Sequence, residues 1–175
     1  MAANELQQRA AAVQLLALDV DGVLTDGSIY YGDAGDELKA FNIKDGLGIK
    51  LLQRAGVTVA IITGRQSNIV KRRAAELGID EVVQGREDKR SALQELCERL
   101  GIPLQACAYM GDDLPDLGAI RACGLGMTVA DAVTAVAGAA DWQAALPGGR
   151  GAVREASEFI LQCKGEWSSL EADFH

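Results

Sequence analysis

Leu15-Leu16-Ala17-Leu18-Asp19-Val20-Asp21-Gly22-Val23-Leu24-Thr25 is the stretch on which the fold turns. A short apolar run ends in two carboxylates that bracket one valine, and a glycine follows. Such a run predicts a strand buried on both faces. Further along the chain, Val57–Ile62, Glu81–Val83, Ala106–Met110 and Leu125–Val129 read as additional short strands. Between them lie helical patterns: Asp45–Ala55, Gln66–Leu77, Asp88–Leu100, Leu114–Ala122, Ala132–Ala137 and Ala152–Cys163. Gly56, Gly78 and Gly101 act as helix stop signals, and Pro115 sits in a first turn, where proline is tolerated. Ser28–Phe41 holds two short segments around Asp33-Ala34-Gly35, a β-hairpin pattern. Strands alternating with helices predict an α/β fold of the Rossmann-like kind, with a mainly parallel sheet covered on both faces. The 175 residues suit one domain, with residues 1–12 as an N-terminal extension and 164–175 as a polar tail containing Trp167 and Phe174.

The formal net charge is −8, with 49% hydrophobic and 24% charged residues. That balance predicts a globular chain and argues against nucleic-acid or anionic-membrane partners, which call for a basic footprint. No apolar stretch approaches the roughly 20 residues of a membrane span, and Met1–Ala12 lacks the pattern of a signal peptide. Cys97, Cys107, Cys123 and Cys163 form no CxxC pair, so reduced thiols in the cytoplasm are expected. The sole histidine is His175. A Ser-His-Asp triad or a histidine-rich zinc site therefore cannot come from the body of the chain. Hydrolytic chemistry would run on carboxylates, lysine, arginine or a hard metal.

In parallel sheets of this kind, ligands sit at the carboxyl ends of the strands. The polar groups at those ends are Asp19-Val20-Asp21, Thr63-Gly64-Arg65 and Gly111-Asp112-Asp113, and Lys89 opens a helix that could face the same crevice. A single aspartate after a strand is ordinarily a turn or cap residue, and Asp113 could simply cap the helix at Leu114. Several carboxylates converging in a cleft repel one another and call for a cation. All-oxygen ligands point to Mg2+.

These motifs resemble the haloacid dehalogenase (HAD) superfamily. Asp19–Thr25 matches its DxDGxx[TV] motif, and Thr63, Lys89 and Gly111-Asp112-Asp113 follow as the second, third and fourth motifs over residues 15–160 or so. The resemblance implies a phosphatase. Asp19 would be the nucleophile and a metal ligand; Asp21 would be the general acid and base, its backbone carbonyl a second ligand. Asp112 would complete the metal site. Thr63 and Gly64 would hold phosphate oxygens at a helix N-terminus, Lys89 would neutralise charge, and Asp113 would orient Lys89 or metal-bound water.

Segments 27–52, 61–65 and 147–155 narrow the resemblance to HAD phosphatases acting on 3-deoxy-D-manno-octulosonate (KDO) 8-phosphate, in lipopolysaccharide precursor synthesis. This implies a substrate-binding region of Asn42, Ile43, Lys44, Asp45, Gly46 and Lys50, joined by Arg65 and Arg73. Arg65 is suited to grip the substrate carboxylate with two parallel bonds. Gly148–Gly151 is either a loop near the site or a helix entry, and Arg150 is not counted as catalytic. With only a hairpin inserted and no large cap domain, neighbouring subunits of a homotetramer are expected to cover the crevice. The alternatives are a phosphatase for another acidic sugar phosphate such as a nonulosonate 9-phosphate, a phosphotransferase to a sugar acceptor, and a catalytically silent HAD-like module. The presence of Asp19, Asp21, Lys89 and Asp112 together speaks against the last.

Overall fold

The computed structural model describes residues 3–174; Met1, Ala2 and the histidine at 175 lie outside the described residues. Six parallel strands form the main sheet: β1 (Leu15–Leu18), β4 (Thr58–Thr63), β5 (Glu81–Gln84), β6 (Cys107–Gly111), β7 (Leu125–Thr128) and β8 (Trp142–Gln143). Their order is β5-β4-β1-β6-β7-β8. The chain winds outward from β1 through β4 to β5, then crosses to β6 and winds the other way. That reversal leaves a crevice at the carboxyl ends of β1, β4 and β6, the place such sheets use for ligands.

The strands read as continuous apolar runs because both faces are covered. Leu16 and Leu18 of β1 and Ile61 of β4 pack with Met110 and Met127 on one face. Helices α2 (Ile43–Arg54) and α7 (Ala152–Lys164) cover that face through Ile49, Leu52, Val153 and Ile160. Leu15 and Ala17 point the other way with Ile62 and Tyr109, onto Leu93 and Leu96 of α4 (Lys89–Leu100) and Ile120 of α5 (Leu117–Ala122). At roughly 25 cal/mol per Å2 of apolar surface removed from water, these two layers dominate the stability. Helices α3 (Asn68–Leu77) and α6 (Thr134–Ala137) complete the crossovers. The insertion after β1 is a two-stranded antiparallel hairpin, β2 (Tyr30–Tyr31) with β3 (Glu37–Leu38). Its turn closes through Gly35, at φ +85°.

Several elements differ from the sequence pattern. The stretch read as an N-terminal extension forms α1 (Ala3–Ala11), which packs on the face covered by α7 with Ala10 buried. Lys164, read as the start of a polar tail, donates from Nζ to the carbonyls of Ala11 (3.0 Å) and Val13 (2.8 Å) and so caps α1. The tail itself holds α8 (Trp167–Ala172), with Leu170 buried and Arg154 stacked over the Trp167 ring. Helix α3 begins at Asn68 after Ser67, not at Gln66. The helix expected over 114–122 is a 3-10 turn, Leu114–Asp116, followed by α5.

Candidate active site

Asp19 leaves the end of β1, Thr63 is the last residue of β4, and Asp112 follows Gly111, the last residue of β6. Together with Asp21, Gly64, Arg65, Lys89, Asp113 and Asp116 they line a cavity of about 720 Å3. The sheet topology thus brings Asp19, Asp21, Thr63, Lys89 and Asp112, expected from the sequence, to one cavity.

Lys89, the first residue of α4, is buried and sits between two carboxylates, 2.8 Å from Asp19 Oδ2 and 2.7 Å from Asp116 Oδ1. Burial opposes its ammonium, but the charges of Asp19 and Asp116 outweigh it and raise the pKa. Asp116 is the site residue that sequence reasoning missed. Its Oδ1 also accepts from the Tyr109 hydroxyl at 2.7 Å. Its Oδ2 accepts from the amides of Asp112 (3.0 Å) and Asp113 (3.2 Å). Every lone pair is spoken for, so Asp116 orients Lys89 and pins the loop after β6. The available signal was its spacing of three from Asp113, which marks a capping box at a turn. Asp113 accepts from the Leu114 amide at 2.7 Å and caps the 3-10 turn, while it is Asp116 that holds Lys89. Thr63 is buried and its Oγ1 accepts from the Arg65 amide at 3.4 Å. Helix α3 starts at Asn68, so Thr63 and Gly64 lie ahead of its first turn.

The carboxylates of Asp19, Asp112 and Asp116 each place an oxygen within 4.8 Å of the others. Burial, with the charge of Asp116 behind it, pushes the Asp19 carboxyl up to about 7 against the pull of Lys89. Burial and the charge of Asp19 push Asp112 to about 7 as well. Asp112 Oδ1 is buried without a hydrogen-bond partner. An orphaned oxygen among crowded carboxylates is a donor set for a hard divalent cation. Asp19 and Asp112 have the free valence to hold one; Asp116 does not. Space for this arrangement depends on glycines. Gly22 sits at φ +95°, and a Cβ there would fall 2.0 Å from Asp112 Oδ2. Gly148 lies so close to the same loop that a Cβ would meet the Gly22 carbonyl oxygen at 1.8 Å. The segment 147–151 is therefore a buttress of the Asp19–Thr25 loop, with Arg150 paired to Asp26 at 3.2 Å.

Asp21 is turned away from the other carboxylates. It forms a close ion pair with Lys39 and lies 3.9 Å from Arg65 Nε. Asn42, Ile43, Lys44, Asp45, Gly46, Lys50 and Arg73 do not line the cavity of their own chain. Asn42 caps α2, accepting from the Lys44 amide at 2.8 Å. Asp45 is buried, and its Oδ1 accepts from the Arg154 amide at 2.8 Å, so it caps α7 across the fold. Arg73 packs over the Phe41 ring and donates to the Asn42 carbonyl at 3.4 Å. Ile43, Lys44 and Lys50 are exposed.

Residues 44–124 match the family model described as haloacid dehalogenase-like hydrolase. The "3-deoxy-D-manno-octulosonate 8-phosphate phosphatase KdsC" of Haemophilus influenzae is 43% identical over 166 residues, covering 95% of this chain and 92% of the relative. The chain belongs to this family of HAD-like hydrolases. Among solved structures, the phosphatase of that name from Moraxella catarrhalis, in complex with magnesium ion, phosphate ion and a KDO molecule, superposes with a TM-score of 0.98. Its identity is 46%, over 99% of this chain and 100% of that one. The cobalt-bound form of the H. influenzae enzyme gives 0.89 at 43% identity, over 92% of this chain and 94% of that one.

Two outcomes follow from the carboxylate cluster. Gly22→Ala forces a side chain into positive φ and onto Asp112. It should cost about 1–3 kcal/mol of stability in urea unfolding and weaken Mg2+ binding by about tenfold or more in calorimetry. The second concerns pH. In the folded, metal-free protein Asp19 and Asp112 hold protons up to about 7, against an ordinary value of 3.8. The unfolded chain releases those protons earlier. Stability of the metal-free protein should therefore fall as pH rises from about 4 to about 7 and then level off. Mg2+ competes with the same protons, so it should raise the melting temperature strongly at pH 8 and little at pH 5.5. An equal shift at both values would contradict this account.

Proposed function

We propose that this protein hydrolyses KDO 8-phosphate to KDO and inorganic phosphate with the help of Mg2+, in the cytoplasmic supply of lipopolysaccharide precursors. The observation that carries the reading is the buried Asp19–Lys89–Asp116 chain facing the orphaned Asp112 oxygen, in a chain so similar to phosphatases of that name. Mg2+, held by Asp19, Asp112 and the Asp21 backbone carbonyl, would neutralise the carboxylates and draw charge from the phosphoryl oxygens.

The rest of the chemistry belongs to the chain. Asp19 attacks phosphorus in line and becomes a phospho-aspartate while the sugar alkoxide leaves. Lys89, fixed by Asp116, neutralises charge on the transferring group. Thr63 and the Gly64 amide receive phosphoryl oxygens. Asp21 gives a proton to the departing sugar oxygen and then takes one from the water that attacks the phospho-aspartate. Arg65 lies beside Asp21 at the mouth of the same cavity and suits the sugar carboxylate.

Tyr30, Tyr31, Leu38 and Ile43 are exposed on the hairpin and at the start of α2, with Tyr31 at 71% and Ile43 at 82%. An apolar patch beside an open site favours coverage by a second copy. This supports a homotetramer whose neighbouring subunits close the crevice. Such an assembly also gives Asn42, Ile43, Lys44 and Lys50 a route to substrate that their own chain lacks. Asp45, Gly46 and Arg73 would serve by setting the position of α2.

The test is phosphate release from a panel with Mg2+: KDO 8-phosphate, a nonulosonate 9-phosphate and neutral hexose phosphates. A strong preference for KDO 8-phosphate is expected. Equal weak rates would remove the substrate assignment, and no release would favour a silent module. Asp19→Asn keeps the volume and removes the nucleophile. It should lose at least about 10,000-fold in kcat with an unchanged melting temperature in Mg2+-free buffer or a higher one. Near-normal turnover in that variant would sink the covalent route.

A further inference from the structure

Lys39 follows β3 on the hairpin. Its neighbour Leu38 faces solvent, yet the Lys39 side chain is only 1% exposed. An ammonium is almost never buried without partners. Lys39 Nζ meets two: Asp21, in the close ion pair already described, and Glu37 at 3.1 Å. Arg65 approaches the same two carboxylates from the other side, 3.3 Å from Glu37 and 3.9 Å from Asp21. Lys39 and Arg65 thus alternate with the carboxyl groups of Asp21 and Glu37. Asp21 and Arg65 line the cavity, whereas Lys39 does not.

Burying a lysine costs hydration and side-chain freedom, and ion pairs of this kind add little net stability. Their return is direction. With Glu37 holding the ammonium from the hairpin, the Asp21 carboxyl is held against a fixed point. Arg65 can turn to an anionic substrate without releasing Asp21, because Lys39 keeps its own bond. We propose that Lys39 is a positioning residue for Asp21, tying the hairpin to that carboxyl and aiming it at the leaving-group oxygen. This rests on the role given to Asp21 above.

The experiment compares kcat/KM for KDO 8-phosphate and for p-nitrophenyl phosphate, with Mg2+, in Lys39→Met and Lys39→Arg. A sugar alkoxide needs a proton to leave; p-nitrophenolate does not. Lys39→Met should lose about 10- to 100-fold on the sugar phosphate and less than about threefold on the aryl phosphate, since a misaimed acid forfeits part of the roughly 100- to 10,000-fold that proton transfer contributes. Lys39→Arg should recover most of that loss. Equal losses on both substrates, or wild-type values on both, would overturn the proposal. Asp21→Asn is measured alongside. If it too loses equally on both substrates, the acid assignment itself fails; a selective loss there beside an unselective one in Lys39→Met overturns only the role of Lys39. Should Lys39→Met unfold, as judged by its melting curve, Glu37→Gln decides instead. It removes the lysine's second anchor and should show the same selectivity with a smaller loss.

Discussion

Three carboxylates against one ammonium, in a place where water screens them poorly, is the arrangement around which the site is built. Asp19, Asp112 and Asp116 come together because β1 and β6 are neighbours in the sheet and an aspartate follows the last residue of each. Left to themselves they would repel one another strongly. Lys89 enters from the first turn of α4 to sit between two of them, and Tyr109 reaches Asp116 from inside the sheet. The helix, the strand and the 3-10 turn after β6 are thereby tied to one another through a single side chain. What remains uncompensated is the Asp112 oxygen, and the excess negative charge there is what a divalent cation answers.

The roof of the site is made differently from its floor. The floor stands on strand ends packed in a core of Leu, Ile and Met side chains. The roof is a short hairpin, two residues in each strand, that makes its inward contacts through charges. Its outer side chains stay apolar and exposed. A hairpin of that size is marginal alone, so its ion pairs matter more than its own backbone bonds. The floor is held by buried apolar packing and the roof by charge pairs.

Most of the strands were legible because continuous apolar runs of four to six residues have few other uses. The elements that were not legible share a cause. β8 is two residues long, too short for any periodicity to register. α1 and α8 carry few apolar residues and look like polar ends; what makes them part of the fold is contact with α7, capped and stacked by Lys164 and Arg154. Asp45, implied by resemblance to meet substrate, is a buried cap on a helix more than 100 residues away, which no local pattern announces.

The sequence by itself determined the α/β class, the place of Asp19, Asp21, Thr63, Lys89 and Asp112 at strand ends or helix starts, and the absence of histidine chemistry from the body of the chain. Those are local facts: a run, a spacing, a count. Only the tertiary structure decided that Asp116, and not Asp113, holds Lys89, and that Lys39 reaches across to Asp21. Both depend on which way a side chain points after a turn and on what lies behind it. That direction is set by packing between segments far apart in the chain, where burial makes an unpartnered charge intolerable.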